Sequence, residues 1–168
     1  MHLSQEEQDR KKVWDLIKNQ HSALLITIKQ DGGLDSRPMG CLQHEFDGTL
    51  WFVTFRASHK IQEISADNQV LISYAKPLEH EYVSISGRAQ LLEDKEKLRD
   101  LWSEALRVWF PKGLDDPDII IISVAAEEAR YWTKGASLMA YAWTYVMTRW
   151  TGRHPSPDDV GETKAVRF

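Results

Sequence analysis

A small antiparallel barrel, mainly β with flanking helices and so of the α+β kind, is the fold class this sequence predicts. Three observations carry the prediction. Short apolar runs rich in β-branched residues follow one another between Ala23 and Phe55, with turn residues and no helix between them. From Tyr82 the chain alternates: Val83, Ile85, Gly87, Ala89 and Leu91 face one way, and Ser84, Ser86, Arg88 and Gln90 the other. Helical spacing is prominent only near the start and after Asp94. A parallel sheet needs a helix between nearly every pair of strands, and that alternation is missing here.

The elements follow in order. Ser4-Gln5-Glu6-Glu7 has the spacing of a capping box, so a helix starts there. Val13, Leu16 and Ile17 give it a narrow apolar stripe that packs on the barrel as a lid, and Asn19 and Gln20 end it. Ala23 to Ile28 reads as a strand with little exposed face, followed by a turn at Asp31-Gly32-Gly33. Leu34 to Lys60 reads as strand, Asp47-Gly48 hairpin, strand and the first turn of a helix. That helix runs from Ser58, near its N-cap, to Asp67. Val70 to Ala75 is a strand, and Pro77 predicts an edge or a bend. Asp94 to Trp109 reads as one helix on the spacing of Leu98, Leu101, Trp102, Ala105, Leu106 and Trp109. Ile119 to Val124 and Glu128 to Thr133 read as two further strands, and Ala136 to Trp150 as a last helix. Thr151 to Phe168 is a tail lying extended on the body or on a partner chain.

The 168 residues suit one domain with its own core, spanning 1–168, with residues 1–20 as the N-terminal helix and 151–168 as the tail. A formal net charge of −4 gives no long-range pull toward nucleic acid or anionic membrane. Met1 to Gln20 is too polar for a signal peptide, and no apolar run approaches the roughly 20 residues that span a bilayer. The lone Cys41 excludes an internal disulfide and suits a reducing cytoplasm. Seven tryptophans are many for this length, so some are expected to line a planar ligand or a subunit interface.

Candidate chemistry gathers between Ser36 and Lys60. The fork of Arg37 suits two phosphate oxygens, although a surface arginine on an edge strand is the ordinary reading. Lys60 adds a point charge and Ser58 a hydroxyl, beside the free N–H groups of a helix start. Pro38 has no N–H to give a ladder, so the strand around Met39 is expected to be irregular. Thr54 is either a hydrogen-bonding group or an ordinary β-branched strand residue. Tyr131-Trp132 is suited to ring stacking, to a core or to a dimer interface. His44, Glu45, Glu79, His80 and Glu81 have no metal-ligand spacing, and Asp115, Asp116 and Asp118 lack the EF-hand pattern. No metal is expected, nor a catalytic thiol at Cys41, and no glycine-rich phosphate loop or dinucleotide fingerprint is present.

With these residues in hand, the chain resembles the flavin-binding split-barrel superfamily typified by pyridoxamine 5′-phosphate oxidase, and within it the general-stress-protein branch. The resemblance runs from about His21 to Trp143 and rests on order and spacing more than on any one piece. It is carried by Ser36-Arg37-Pro38-Met39, Trp51-Phe52-Val53-Thr54, Ser58-His59-Lys60, Val83 to Ala89, Trp109 to Pro117, and Tyr131-Trp132. It implies an antiparallel split β-barrel of the FMN-binding type, a homodimer with flavin at the interface, and a small-molecule substrate or electron donor. Arg37, Ser58 and Lys60 would hold the phosphate, with His59 where the oxidases usually have arginine. Pro38, Met39, Val53 and Thr54 would line the isoalloxazine, and Trp132 would reach the flavin from the other subunit. The implied activity is FMN-dependent oxidoreduction, with no dedicated catalytic acid or base.

Two departures bound that implication. The oxidases carry a C-terminal Arg-Leu-His-Asp-Arg segment, which Arg149-Trp150-Thr151-Gly152-Arg153-His154 does not match in spacing or order. Tyr82 stands in place of a flavin-contacting glutamine. Pyridoxamine-phosphate oxidation itself is therefore not expected. The competing readings are a flavin-binding stress protein that stores or senses without turnover, and a split barrel holding a deazaflavin or haem.

Overall fold

In the computed structural model of the protein, the described residues are 4–134, 149, 152 and 161–168. Seven strands form one curled antiparallel sheet: β1 (Ser22–Ile28), β2 (Leu34–Gly40), β3 (Thr49–Phe55), β4 (Gln69–Lys76), β5 (Glu81–Leu92), β6 (Ile119–Lys134) and β7 (Gly161–Arg167). Their order is β2-β1-β4-β5-β6-β3, with β7 added to β6. Among the described residues the complete α-helices are α1 (Gln5–Ile17), α2 (His59–Ala66) and α3 (Lys95–Leu101). Curling brings β2 and β3, the two ends of the path, to opposite walls of one cleft. The architecture is that of an antiparallel split barrel.

Its interior follows from the alternation of the strands. Leu25, Phe52, Ile72, Ile85, Ile122 and Val124 are essentially inaccessible and meet in one cluster. Helix α1 adds Val13, Leu16 and Ile17 to it. A second cluster joins Val53, Ile119 and Ile121 to Leu98 and Leu101 of α3 and to Phe110. The capping box at Ser4 is present: its hydroxyl accepts from the Glu7 N–H, and the Glu7 carboxylate accepts from the Ser4 N–H at 2.7 Å. Ser4→Ala is expected to cost about 1 kcal/mol of thermal stability with no change in ligand binding, measured by calorimetry beside a binding titration.

The structure corrects five sequence expectations. The strand around Met39 is not irregular: β2 pairs with β1 in unbroken register from Leu34 to Gly40, with Pro38 opposite Leu24. Asp47-Gly48 does not join β2 to β3 as a hairpin. β2 pairs with β1 through the Asp31-Gly32-Gly33 turn, and β3 pairs with β6. The turn chemistry at Asp47 is real, since its carboxylate accepts from the Thr49 N–H, but it only launches β3. The helix predicted over 94–109 ends at Leu101, because Trp102 is extended (ψ 136°), and a 3-10 turn over Glu104–Val108 follows. The two strands predicted at 119–124 and 128–133 are one strand of 16 residues. A bulge at Glu127 bends it, since Gly87 pairs with Ala126 but Ser86 pairs with Glu128. β1 also has an open face, with Leu24 45 % exposed. The predicted helix over 136–150 lies outside the described residues. The end of the tail lies on the body as β7, along the second half of β6.

Candidate functional site

The cleft between the two sheet ends has a volume of about 450 Å³, within the roughly 300–1,000 Å³ of small-molecule sites. Pro38, Met39 and Gly40 of β2 form one wall, and Val53, Thr54 and Phe55 of β3 form the other. Among the described strands, β2 pairs with β1 alone and β3 with β6 alone. Each therefore turns backbone groups outward from its other edge, although on β3 the Gln43 side chain already pairs the Trp51 N–H and the Thr49 carbonyl. Leu106, Trp109 and Phe110, around the 3-10 turn, add an apolar wall. Phe110 packs on Phe55 with ring centroids 4.7 Å apart.

Lys60, in the first turn of α2, brings an ammonium to this lining. Its Nζ donates to Thr54 Oγ1 at 3.0 Å. Burial holds its pKa below the ordinary lysine value, and the neighbouring Arg37 charge pushes it the same way. An anion in the cleft would relieve both effects. Ser58 is the N-cap of α2 by backbone, but its hydroxyl donates to the Phe55 carbonyl at 2.7 Å and does not cap the helix.

Of the residues singled out from sequence, Pro38, Met39, Val53, Thr54 and Lys60 come together at the cleft. Arg37 lies behind the wall. Its guanidinium donates to Glu63 Oε2 and to Asp35 Oδ2, each at 2.8 Å, and also to Thr27 Oγ1. His59 is exposed and faces a separate hollow beside Lys29 and Glu63. Trp132 sits on the outer face of the sheet, opposite Tyr82 in register, and both are 40 % exposed. Leu24 and Leu71 are exposed on the same face but in other rows, opposite Ser73 and Ser86 respectively, while Ala75 is the β4 residue opposite Tyr82.

Sequence reasoning did not find Phe55 as a cleft wall or Glu63 as the partner of Arg37. A signal for Glu63 existed: it stands three residues after Lys60, on the same helix face. Elsewhere, burial pushes the Cys41 thiol up to about 11, so at neutral pH it is not a thiolate nucleophile. Asp116 is buried and accepts from the Asp118 N–H, a loop-shaping role. Among the described residues no group of three His, Cys, Asp or Glu side chains is placed to hold a metal, and no helix is long and apolar enough to cross a membrane.

Fold and cleft together define a split-barrel protein with an open cleft between its sheet ends. The family described as Pyridoxamine 5'-phosphate oxidase like matches residues 8–156, and the chain belongs to this family. It is 31 % identical to General stress protein 26 of Bacillus subtilis over 130 residues, which cover 75 % of this chain and 89 % of that protein. The crystal structure of General Stress Protein 26 from Bacillus anthracis superposes with a TM-score of 0.65 at 24 % identity, covering 73 % of this chain and 92 % of that one. The general stress FMN/FAD binding protein of Xanthomonas citri superposes with a TM-score of 0.65 at 23 % identity, covering 76 % and 90 %.

Proposed function

We propose that the protein binds FMN in the cleft between β2 and β3 and acts as an FMN-dependent oxidoreductase on a small molecule, in a cytoplasmic homodimer. The observation that carries this reading is the cleft itself: apolar walls, two strand edges with unpaired backbone groups and one half-buried ammonium. A planar ring with polar edges and a phosphate is the ligand that uses all three. Met39, Val53 and Phe55 would flank the ring, and the backbone of Pro38 to Gly40 would meet its polar edge. Lys60 would hold the phosphate, with Ser58 beside it and Arg37 behind. The bound flavin supplies the redox chemistry, and the chain supplies position, polarity and shelter from water.

The homodimer reading is supported by the outer face. Tyr82 and Trp132 stand side by side as exposed aromatics, with Leu24 and Leu71 exposed elsewhere on the same face, on a sheet whose other side is already packed. A second copy covering that aromatic pair would bring its Trp132 into the interface. A flavin-binding stress protein without turnover is the second reading, and it is favoured by the cleft lining, whose ionisable side chains among the described residues are His21 and Lys60, with no carboxylate.

The test is an absorption spectrum of the purified protein, mass identification of the released chromophore, and its mass in solution. The expected result is a yellow dimer releasing FMN; steady consumption of NAD(P)H then separates turnover from storage. Release of a deazaflavin or haem, or a colourless protein that takes up no added FMN, overturns the assignment.

A further inference from the structure

Arg37 is the side chain whose surroundings least suit the task of seizing a phosphate. Thr27 Oγ1 donates to Glu63 Oε2 at 2.5 Å and accepts from Arg37, while Arg37 also donates to Glu63. The three side chains close a ring across β1, β2 and α2. The side chains of Arg37 and Glu63 are only 17 % and 12 % exposed, so salt and water screen this pair weakly. Asp35, the other partner of Arg37, is 51 % exposed and well screened. Counted together, Arg37 and Lys60 are balanced by Glu63 and Asp35, so the cluster offers a dianion no net charge.

We propose that Glu63 occupies the anion seat of Arg37 from inside the protein and thereby sets how strongly the cleft prefers a phosphorylated ligand over its unphosphorylated form. The inference rests on the flavin reading above and deepens it. The carboxylate is anchored by two donors and already takes the fork that a phosphate would use. A phosphate approaching Lys60 gains the second cation only by displacing Glu63, and otherwise meets a nearby negative charge. Glu63 is thus a specificity-determining residue that acts through Arg37.

The experiment compares the affinities of FMN and riboflavin for wild-type protein, Glu63→Gln, Glu63→Asp and Asp35→Asn by fluorescence titration. Glutamine keeps the shape and the hydrogen bond to Thr27 but removes the charge. Glu63→Gln is expected to bind FMN about tenfold tighter while riboflavin stays within about twofold. Glu63→Asp, one methylene too short for the seat, is expected to gain about threefold for FMN, and it carries the test if Glu63→Gln does not melt cooperatively. Asp35→Asn is expected to stay within about twofold for both ligands, because its charge is screened. Weaker FMN binding in Glu63→Gln, equal changes for both ligands, or an Asp35→Asn effect as large as that of Glu63→Gln overturns the proposal. Wild-type protein that binds neither ligand defeats the flavin reading and this inference with it. Wild-type protein that binds both, with Glu63→Gln unchanged, defeats this inference alone.

Discussion

Gly87→Val is expected to yield no folded protein at room temperature, and Gly87→Ala to lose roughly 3 kcal/mol, out of a total of about 5–15 kcal/mol for a domain of this kind. A Cβ at Gly87 would stand 2.1 Å from the Ala125 carbonyl oxygen and 3.1 Å from Val124 Cγ1. The first of these is backbone, in the middle of the longest strand, and cannot swing aside. The bulge at Glu127 shifts the register of β5 against β6 at this point, beside the close approach of the Ala125 carbonyl to Gly87. By contrast, Gly48 has nothing near its missing side chain, although its φ of +107° would strain a substitution there too. Urea unfolding followed by tryptophan fluorescence measures the loss. A Gly87→Ala midpoint equal to that of the wild type would mean the two strands do not approach as described.

Lys60→Ala is expected to weaken FMN by roughly 10- to 100-fold, the equivalent of about 1.5–3 kcal/mol for one charge-assisted hydrogen bond, with riboflavin changed by less than about threefold. The half-buried ammonium donates to the neutral Thr54 hydroxyl, and the Glu63 carboxylate that favours its charge is itself held by Arg37 and Thr27, so a phosphate would add a direct charge-assisted bond. Adding Arg37→Ala is expected to widen the gap between the two ligands. Titration of both flavins against both variants measures this, and equal weakening of FMN and riboflavin would place the phosphate elsewhere.

What was legible in the sequence was local. The capping box at Ser4, the alternation of β5 and the turn at Asp31-Gly32-Gly33 each depend on residues a few positions apart. The same holds for the cleft, where Pro38, Met39, Val53, Thr54 and Lys60 were all drawn from one stretch of sequence. The errors were of partner and of continuity. Asp47-Gly48 has hairpin chemistry, yet a turn fixes only the direction in which the chain leaves it, and β3 leaves for β6. The spacing of Leu98, Leu101, Trp102 and Leu106 continues through a helix break because a 3-10 turn carries nearly the same stripe. Ala125-Ala126-Glu127 looks like a connection because a bulge interrupts the alternation of one strand. Arg37 was placed near the site by its position, but its engagement with Glu63 depends on how α2 lies over β1, which no short pattern records.

The pairing of β3 with β6 also bears on how the molecule is built and how it opens. Phe55 must find Ile119 and Thr49 must find Ala125, across α2, the β4–β5 pair and all of α3. Such non-local partners are costly to close, whereas β1–β2 and β4–β5 join neighbours in sequence. The two walls of the cleft therefore have different histories: β2 docks with an adjacent hairpin, and β3 waits for a strand made much later. A ligand that bridges the walls would tie a segment of low contact order to one of high contact order, and would stabilise the native protein in proportion to the logarithm of its concentration.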